Sequence, residues 1–168
     1  IGQYAFQSCN ALKTVTIPES ATKLGEGIFY NCSSLKSALL PKNCEAISKM
    51  MFSGCKGLES ILIPNEVKEI GENAFSNCIS LKSITLPDEV RTIGYCAFSG
   101  CSNIGLVNTT PLSKLELISE GSFSGCTSLQ KFSTPNCVEA IGRRAFSGCE
   151  SLESIDLPRE LKYISAYT

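Results

Sequence analysis

The chain contains no histidine. Ser-His-Asp and Cys-His catalytic arrangements therefore cannot be assembled from its own residues. Charge of one sign is not in excess either: 15 basic against 16 acidic residues leave a formal net charge of −1. No basic stripe able to neutralise phosphates is present, which argues against nucleic acid as a partner. No apolar run approaches the roughly 18 to 20 residues that a membrane-spanning helix needs. Glycines stand singly, so no phosphate-cradling loop is expected. Among 10 cysteines the closest pair is Cys96 and Cys101, and the tight pairs of a zinc site are missing. No metal or other cofactor is implied. Carboxylates such as Glu19, Glu66, Asp88, Glu89 and Glu160 are scattered over outward positions. That pattern fits solubility better than a catalytic pair, and the chain does not read as an enzyme.

What the chain does have is repetition. Cys9, Cys32, Cys55, Cys78, Cys101, Cys126 and Cys149 are spaced by 23 residues, except for one interval of 25. All seven prolines share one register (Pro18, Pro41, Pro64, Pro87, Pro111, Pro135, Pro158). So do seven of the eight phenylalanines: Phe6, Phe29, Phe52, Phe75, Phe98, Phe123 and Phe146. A period in the twenties defines a solenoid, because a unit that short cannot bury its own apolar face and must stack on its neighbours. With 43% hydrophobic and 18% charged residues, the 168 residues are expected to form one stacked, folded domain of about seven repeats. The chain opens and stops in mid-repeat without polar capping units, which is expected of a piece of a longer protein.

The unit Leu58–Cys78 shows how one repeat is expected to fold. Ile61 and Ile63 are two apart, the period of a strand with one buried face. Pro64 ends that strand, since it donates no ladder bond. Val67 and Ile70 point inward from a second short extended or turn segment. Ile70, Ala74 and Cys78 then recur at intervals of four, which predicts one to two helical turns. The slot after the isoleucine holds Gly25, Ser48, Gly71, Gly94, Ser119 and Gly142, read here as helix N-caps. The residue before the cysteine is Asn31, Gly54, Asn77, Gly100, Gly125 or Gly148 in six of the seven copies, the signature of a left-handed helix end. The bulkier helical side should curve the stack, with its strands on the concave surface.

Seven equivalent cysteines pointing inward in parallel are read as buried free thiols acting as small apolar residues. Their odd number and parallel side chains argue against a disulfide framework. Cys44 takes an inward slot held elsewhere by Val67 and Val90 and belongs to the core. Cys96 and Cys137 take outward slots and are expected to be exposed.

The pattern Leu-x-x-Ile-x-Leu-Pro-x-x-Val-x-x-Ile-Gly-x-x-Ala-Phe-x-x-Cys, met in full by Leu81–Cys101, resembles the BspA-type leucine-rich repeat, and the likeness covers the whole chain. The resemblance implies an α/β solenoid, a right-handed leucine-rich-repeat superhelix. Each 23-residue repeat would place one main strand on the concave face and a helical turn on the convex face. It also implies a non-catalytic protein-binding or adhesion module of a secreted or cell-surface protein, with a protein or cell-surface ligand. A structural spacer or intracellular scaffold is the alternative, as is an accessory repeat domain of a larger secreted enzyme.

If alternation holds, the residues flanking the inward positions of each main strand face outward. Most are small hydroxyl residues, among them Thr16 and Thr85. Leu39 and Leu62 break that pattern on adjacent repeats, and Leu106 breaks it two repeats on. With Asn108, these six positions form the candidate binding surface on the concave face. Asn108-Thr109-Thr110 also matches a glycosylation sequon, read as a chance match. The fifth unit carries two extra residues around Pro111. Placing Val107 inward avoids burying the Asn108 amide, and a bulge or protruding turn is expected between Gly105 and Leu115.

Overall fold

The computed structural model describes residues 1–159 and 161–168; Glu160 lies outside the described residues. The chain winds into a parallel β-solenoid of about seven coils in which every hydrogen-bonded strand pair is parallel. In chain order its strands are β1 (Thr14–Thr16), β2 (Ser37–Leu39), β3 (Ala46–Ile47), β4 (Glu69–Ile70), β5 (Ser83–Thr85) and β6 (Thr92–Ile93). They continue as β7 (Leu106–Asn108), β8 (Leu117–Ile118), β9 (Lys131–Ser133), β10 (Ala140–Ile141), β11 (Ser154–Asp156) and β12 (Tyr163–Ile164). The longer strands are the main strands that the sequence predicts. The shorter ones add a second strand per coil, built from the segment containing Ile70, and stack in the order β12-β10-β8-β6-β4-β3.

The expected helical turn does not form, and no helix occurs among the described residues. The segment between Ile70 and Cys78 is a series of turns with two left-handed residues four apart, Asn73 (φ 53°) and Asn77 (φ 59°). The same pair recurs as Tyr4/Ser8, Gly27/Asn31, Met50/Gly54, Cys96/Gly100, Gly121/Gly125 and Arg144/Gly148. A left-handed residue every fourth position interrupts an α-helix before it can propagate. The backbone groups are satisfied in another way. Alternate amides close turns, as Cys78 N–H does onto Phe75 O at 3.1 Å. The others donate to the next coil: Asn73 to Tyr95 O, Phe75 to Ala97 O and Asn77 to Ser99 O, at 2.7–2.8 Å.

This arrangement also corrects the N-cap reading of the Gly/Ser slot. A Cβ added to Gly94 would lie 2.8 Å from the carbonyl carbon of Gly71, and one on Gly142 would lie 2.4 Å from Glu120 N. The slot is small because adjacent coils touch there, backbone to backbone. Ser48 fits by donating its hydroxyl to Gly25 O of the preceding coil at 2.7 Å.

The core is a set of columns running through the stack. The phenylalanines from Phe6 to Phe146 stack coil on coil, with centroids 5.2–5.7 Å apart and ring planes within 17° of parallel. Phe132 enters from β9 and packs tilted against Phe123 and Phe146. Beside this column run the buried Leu35, Leu58, Leu81, Ile104 and Leu129, and Ile47, Ile70, Ile93, Ile118 and Ile141.

Candidate binding surface

The thiol column is buried and free at Cys32, Cys55, Cys78, Cys101 and Cys126, and Cys44 is buried as well. Cys149, in the last complete unit, is only half-buried, and Cys9, in the first, is exposed. The thiols are more than apolar filler. Each from Cys32 to Cys149 donates to the carbonyl of the phenylalanine in the preceding coil, Cys78 to Phe52 O at 3.1 Å for example. That carbonyl also accepts the backbone N–H of its own coil's cysteine, such as Cys55 N–H onto Phe52 O at 3.0 Å, so one acceptor joins two coils. Burial, which penalises the thiolate, pushes Cys55 and Cys101 up to about 12. Cys78, enclosed between its neighbours, is raised well above its usual value for the same reason.

Cys96 and Cys137 are half-buried rather than exposed. Cys137 Sγ is held by Ser113 O at 2.9 Å and Leu115 O at 3.1 Å, and burial raises its pKa. Cys96 sits at a left-handed turn position (φ 51°), equivalent to Asn73.

On the main-strand face, Leu39, Leu62 and Leu106 are 54%, 73% and 47% exposed, each beside an inward residue of the same segment. Thr16 is the cross-strand partner of Leu39, and Thr85 that of Asn108; both threonines are exposed. Asn108 is half-buried and donates its amide to Thr85 Oγ1 at 3.2 Å. The six candidate positions therefore fall into two laddered groups. Thr16 and Leu39 lie on β1 and β2; Thr85, Leu106 and Asn108 lie on β5 and β7. Leu62 stands on the unpaired segment between them. Val107 faces the core, 4% exposed. Ile61, expected in the core, is only half-buried.

The fifth unit accommodates both extra residues after β7, in the connection 109–116, rather than as a bulge within the strand. Leu112 at its turn is 76% exposed, a large apolar side chain that the repeat register alone does not single out. The irregular spacing around Pro111 was the available signal. Thr110 binds Asp88 and Thr109 donates to Ser133 O, tying this connection to both neighbouring coils. A shallow groove opens beside it, lined by Thr109, Thr110, Pro111, Ser133, Thr134, Pro135 and Asn136.

Charges on the surface pair between coils, not within them: Lys36–Glu59, Lys49–Glu72, Lys68–Glu45, Arg91–Glu116, Lys114–Glu89 and Lys162–Glu139. These pairs are well exposed, and each contributes about 0–1 kcal/mol. Among the described residues no group of histidine, cysteine or carboxylate side chains is placed to hold a metal ion. Among the described residues no helix is long and apolar enough to cross a membrane.

Fold and columns together define a leucine-rich-repeat solenoid. The description of the BspA type leucine rich repeat region matches residues 1–105 and 103–168, and the chain belongs to that family. A leucine-rich repeat protein from Bacteroides ovatus is 36% identical with a TM-score of 0.89, over 98% of this chain and 42% of that one. A leucine rich repeat protein of T. pallidum is 30% identical with a TM-score of 0.81, over 90% of this chain and 70% of that one. A leucine rich cell surface protein from Faecalibacterium prausnitzii is 28% identical with a TM-score of 0.58, over 96% of this chain and 57% of that one. This chain thus spans less than half of the Bacteroides protein. No curated protein matches it by sequence.

Proposed function

We propose that this chain is a non-catalytic, protein-binding solenoid segment of a longer surface-exposed or secreted protein, and that its main-strand face makes the contact. The observation that carries the proposal is the exposure of Leu39, Leu62 and Leu106 on a face whose other outward residues are mostly small and hydroxyl-bearing. Exposed apolar side chains held by a stacked scaffold supply contact area that desolvates on binding while losing little conformational freedom. Membership of a repeat family supports a binding role. The likeness to the Faecalibacterium cell surface protein supports the location. Adhesion, to matrix proteins or to other cells, is the form of binding we favour.

The test is surface-binding measurement of the intact protein against matrix proteins, host cells and neighbouring bacteria, paired with the Leu39→Ser/Leu62→Ser variant. Binding that the double variant weakens at least tenfold, about 1.4 kcal/mol, supports the proposal. A protein that binds none of these and stays inside the cell is a spacer or scaffold, and the proposal is lost.

A further inference from the structure

The main-strand ladder is broken in one place. β1 pairs only with β2, and a separate sheet runs β11-β9-β7-β5. Between them lies the third unit's own main segment, Ser60–Leu62, which joins neither. Where the ladder is intact, Ile17 N–H donates to Leu39 O at 2.9 Å and Leu86 N–H to Asn108 O at 3.0 Å. The equivalent amides of Leu40 and Ile63 have no backbone acceptor among the described residues; those of Thr109 and Thr134 have none either, but their strands β7 and β9 stay paired on both sides, as Ser60–Leu62 does not. The rungs that survive beside the segment are Glu59 N–H to Lys36 O at 3.2 Å and Lys82 N–H to Glu59 O at 3.4 Å.

Behind this break the same coils are fully joined. β3, β4 and β6 pair in register, and Phe29, Phe52, Phe75 and Phe98 stack without a gap. Cys55, Cys78 and Cys101 each hold the phenylalanine carbonyl one coil back. Backbone groups that lack a protein partner are satisfied by water or open readily.

We infer that Ser60–Ile63 is a seam in the main-strand face, where neighbouring coils part in front while remaining stacked behind. The phenylalanine column and the short-strand sheet act as the hinge. Opening or closing the seam changes the spacing of Leu39 and Leu62, which stand on either side of the first gap. The device needs no ligand, so its failure is distinguishable from failure of the binding proposal.

Amide hydrogen exchange of the intact chain, resolved by residue, tests it. The amides of Leu40, Ile61 and Ile63 should exchange at least tenfold faster than the laddered amides of Leu86 and Gly105. In the same unit, Gly71 and Phe75 should stay as protected as Gly94 and Phe98. Equal protection at Ile63 and Leu86 would mean a closed ladder and overturn the inference. Exchange at Gly71 and Phe75 as fast as at Ile61 would mean that the whole coil opens, which overturns it equally.

Discussion

Along the turn face the coils repeat one another; along the main-strand face no two neighbours match. The turn face carries the same phenylalanine, the same thiol and the same pair of left-handed residues in coil after coil. The strand face reads Thr-Val-Thr, Ser-Ala-Leu, Ser-Ile-Leu, Ser-Ile-Thr, Leu-Val-Asn, Lys-Phe-Ser and Ser-Ile-Asp. It is also the face that loses a strand at unit three, and the two extra residues of unit five lie in the connection that leaves it. The difference assigns support to one side and freedom to the other. Turn-face residues meet equivalents above and below, so a departure there is felt by two neighbours. Outward strand residues meet solvent, and a change there disturbs little.

Alkali should break the supporting side most severely. Cys55 and Cys101 keep their protons up to about 12, whereas an unfolded thiol releases its proton near 9.0. Their contribution is therefore intact below pH 9 and is lost as pH rises towards 12. Each unit above 9 costs about 1.4 kcal/mol per buried thiol. Circular dichroism against pH, with reductant present, should show unfolding in that window, and a Cys55→Ala/Cys101→Ala variant should unfold at higher pH. Next in size is Phe75→Ala, which removes a ring from between Phe52 and Phe98 and should cost roughly 3–5 kcal/mol in denaturant unfolding. Truncating Ile84, buried and paired with Val107 of β7, should cost roughly 2–5 kcal/mol, and truncating half-buried Ile61 clearly less. Equal losses at the two isoleucines would show that the strand face is as tightly built at unit three as elsewhere.

Much of this was legible in the sequence, and the part that was not has a specific cause. The period, the strand before the proline and the inward thiols follow from spacing, and the inward Val107 from the cost of burying the Asn108 amide in its place. The helical turn did not, because Ile70, Ala74 and Cys78 recur at four whether the chain coils as a helix or turns twice through left-handed positions. Asn and Gly before the cysteine gave the second left-handed residue correctly. The first falls on Tyr4, Met50, Cys96 or Arg144 as readily as on glycine, so residue type conceals it. The Gly/Ser slot misled because a helix cap and a close backbone approach both favour small residues. For the candidate surface, alternation placed Leu39, Leu62 and Leu106 outward. It could not show that the third strand leaves the ladder, since Ser60-Ile61-Leu62-Ile63 reads as well as any strand in the chain.

A smaller effect concerns the thiol bonds. Cys78→Ala removes the bond to Phe52 O and should cost about 1–3 kcal/mol, and Cys78→Ser, which keeps a donor, less. On the intact protein, alkylation followed by intact-mass measurement should leave Cys32, Cys55, Cys78, Cys101 and Cys126 unlabelled until denaturant is added. All five should then label without reductant. Pairs that resist labelling would reveal disulfides and remove the thiol column.

The smallest expected change bears most directly on the division between the two faces. A Leu39→Ser/Leu62→Ser/Leu106→Ser variant strips the large leucines from the candidate surface and leaves every turn-face column untouched. Its denaturation should be compared with that of the parent and of Phe75→Ala. The predicted result is a stability within about 0.5 kcal/mol per substitution of the parent, against the large loss at Phe75. If the triple variant unfolds as readily as Phe75→Ala, the leucines hold the fold together and the strand face is not free to bind.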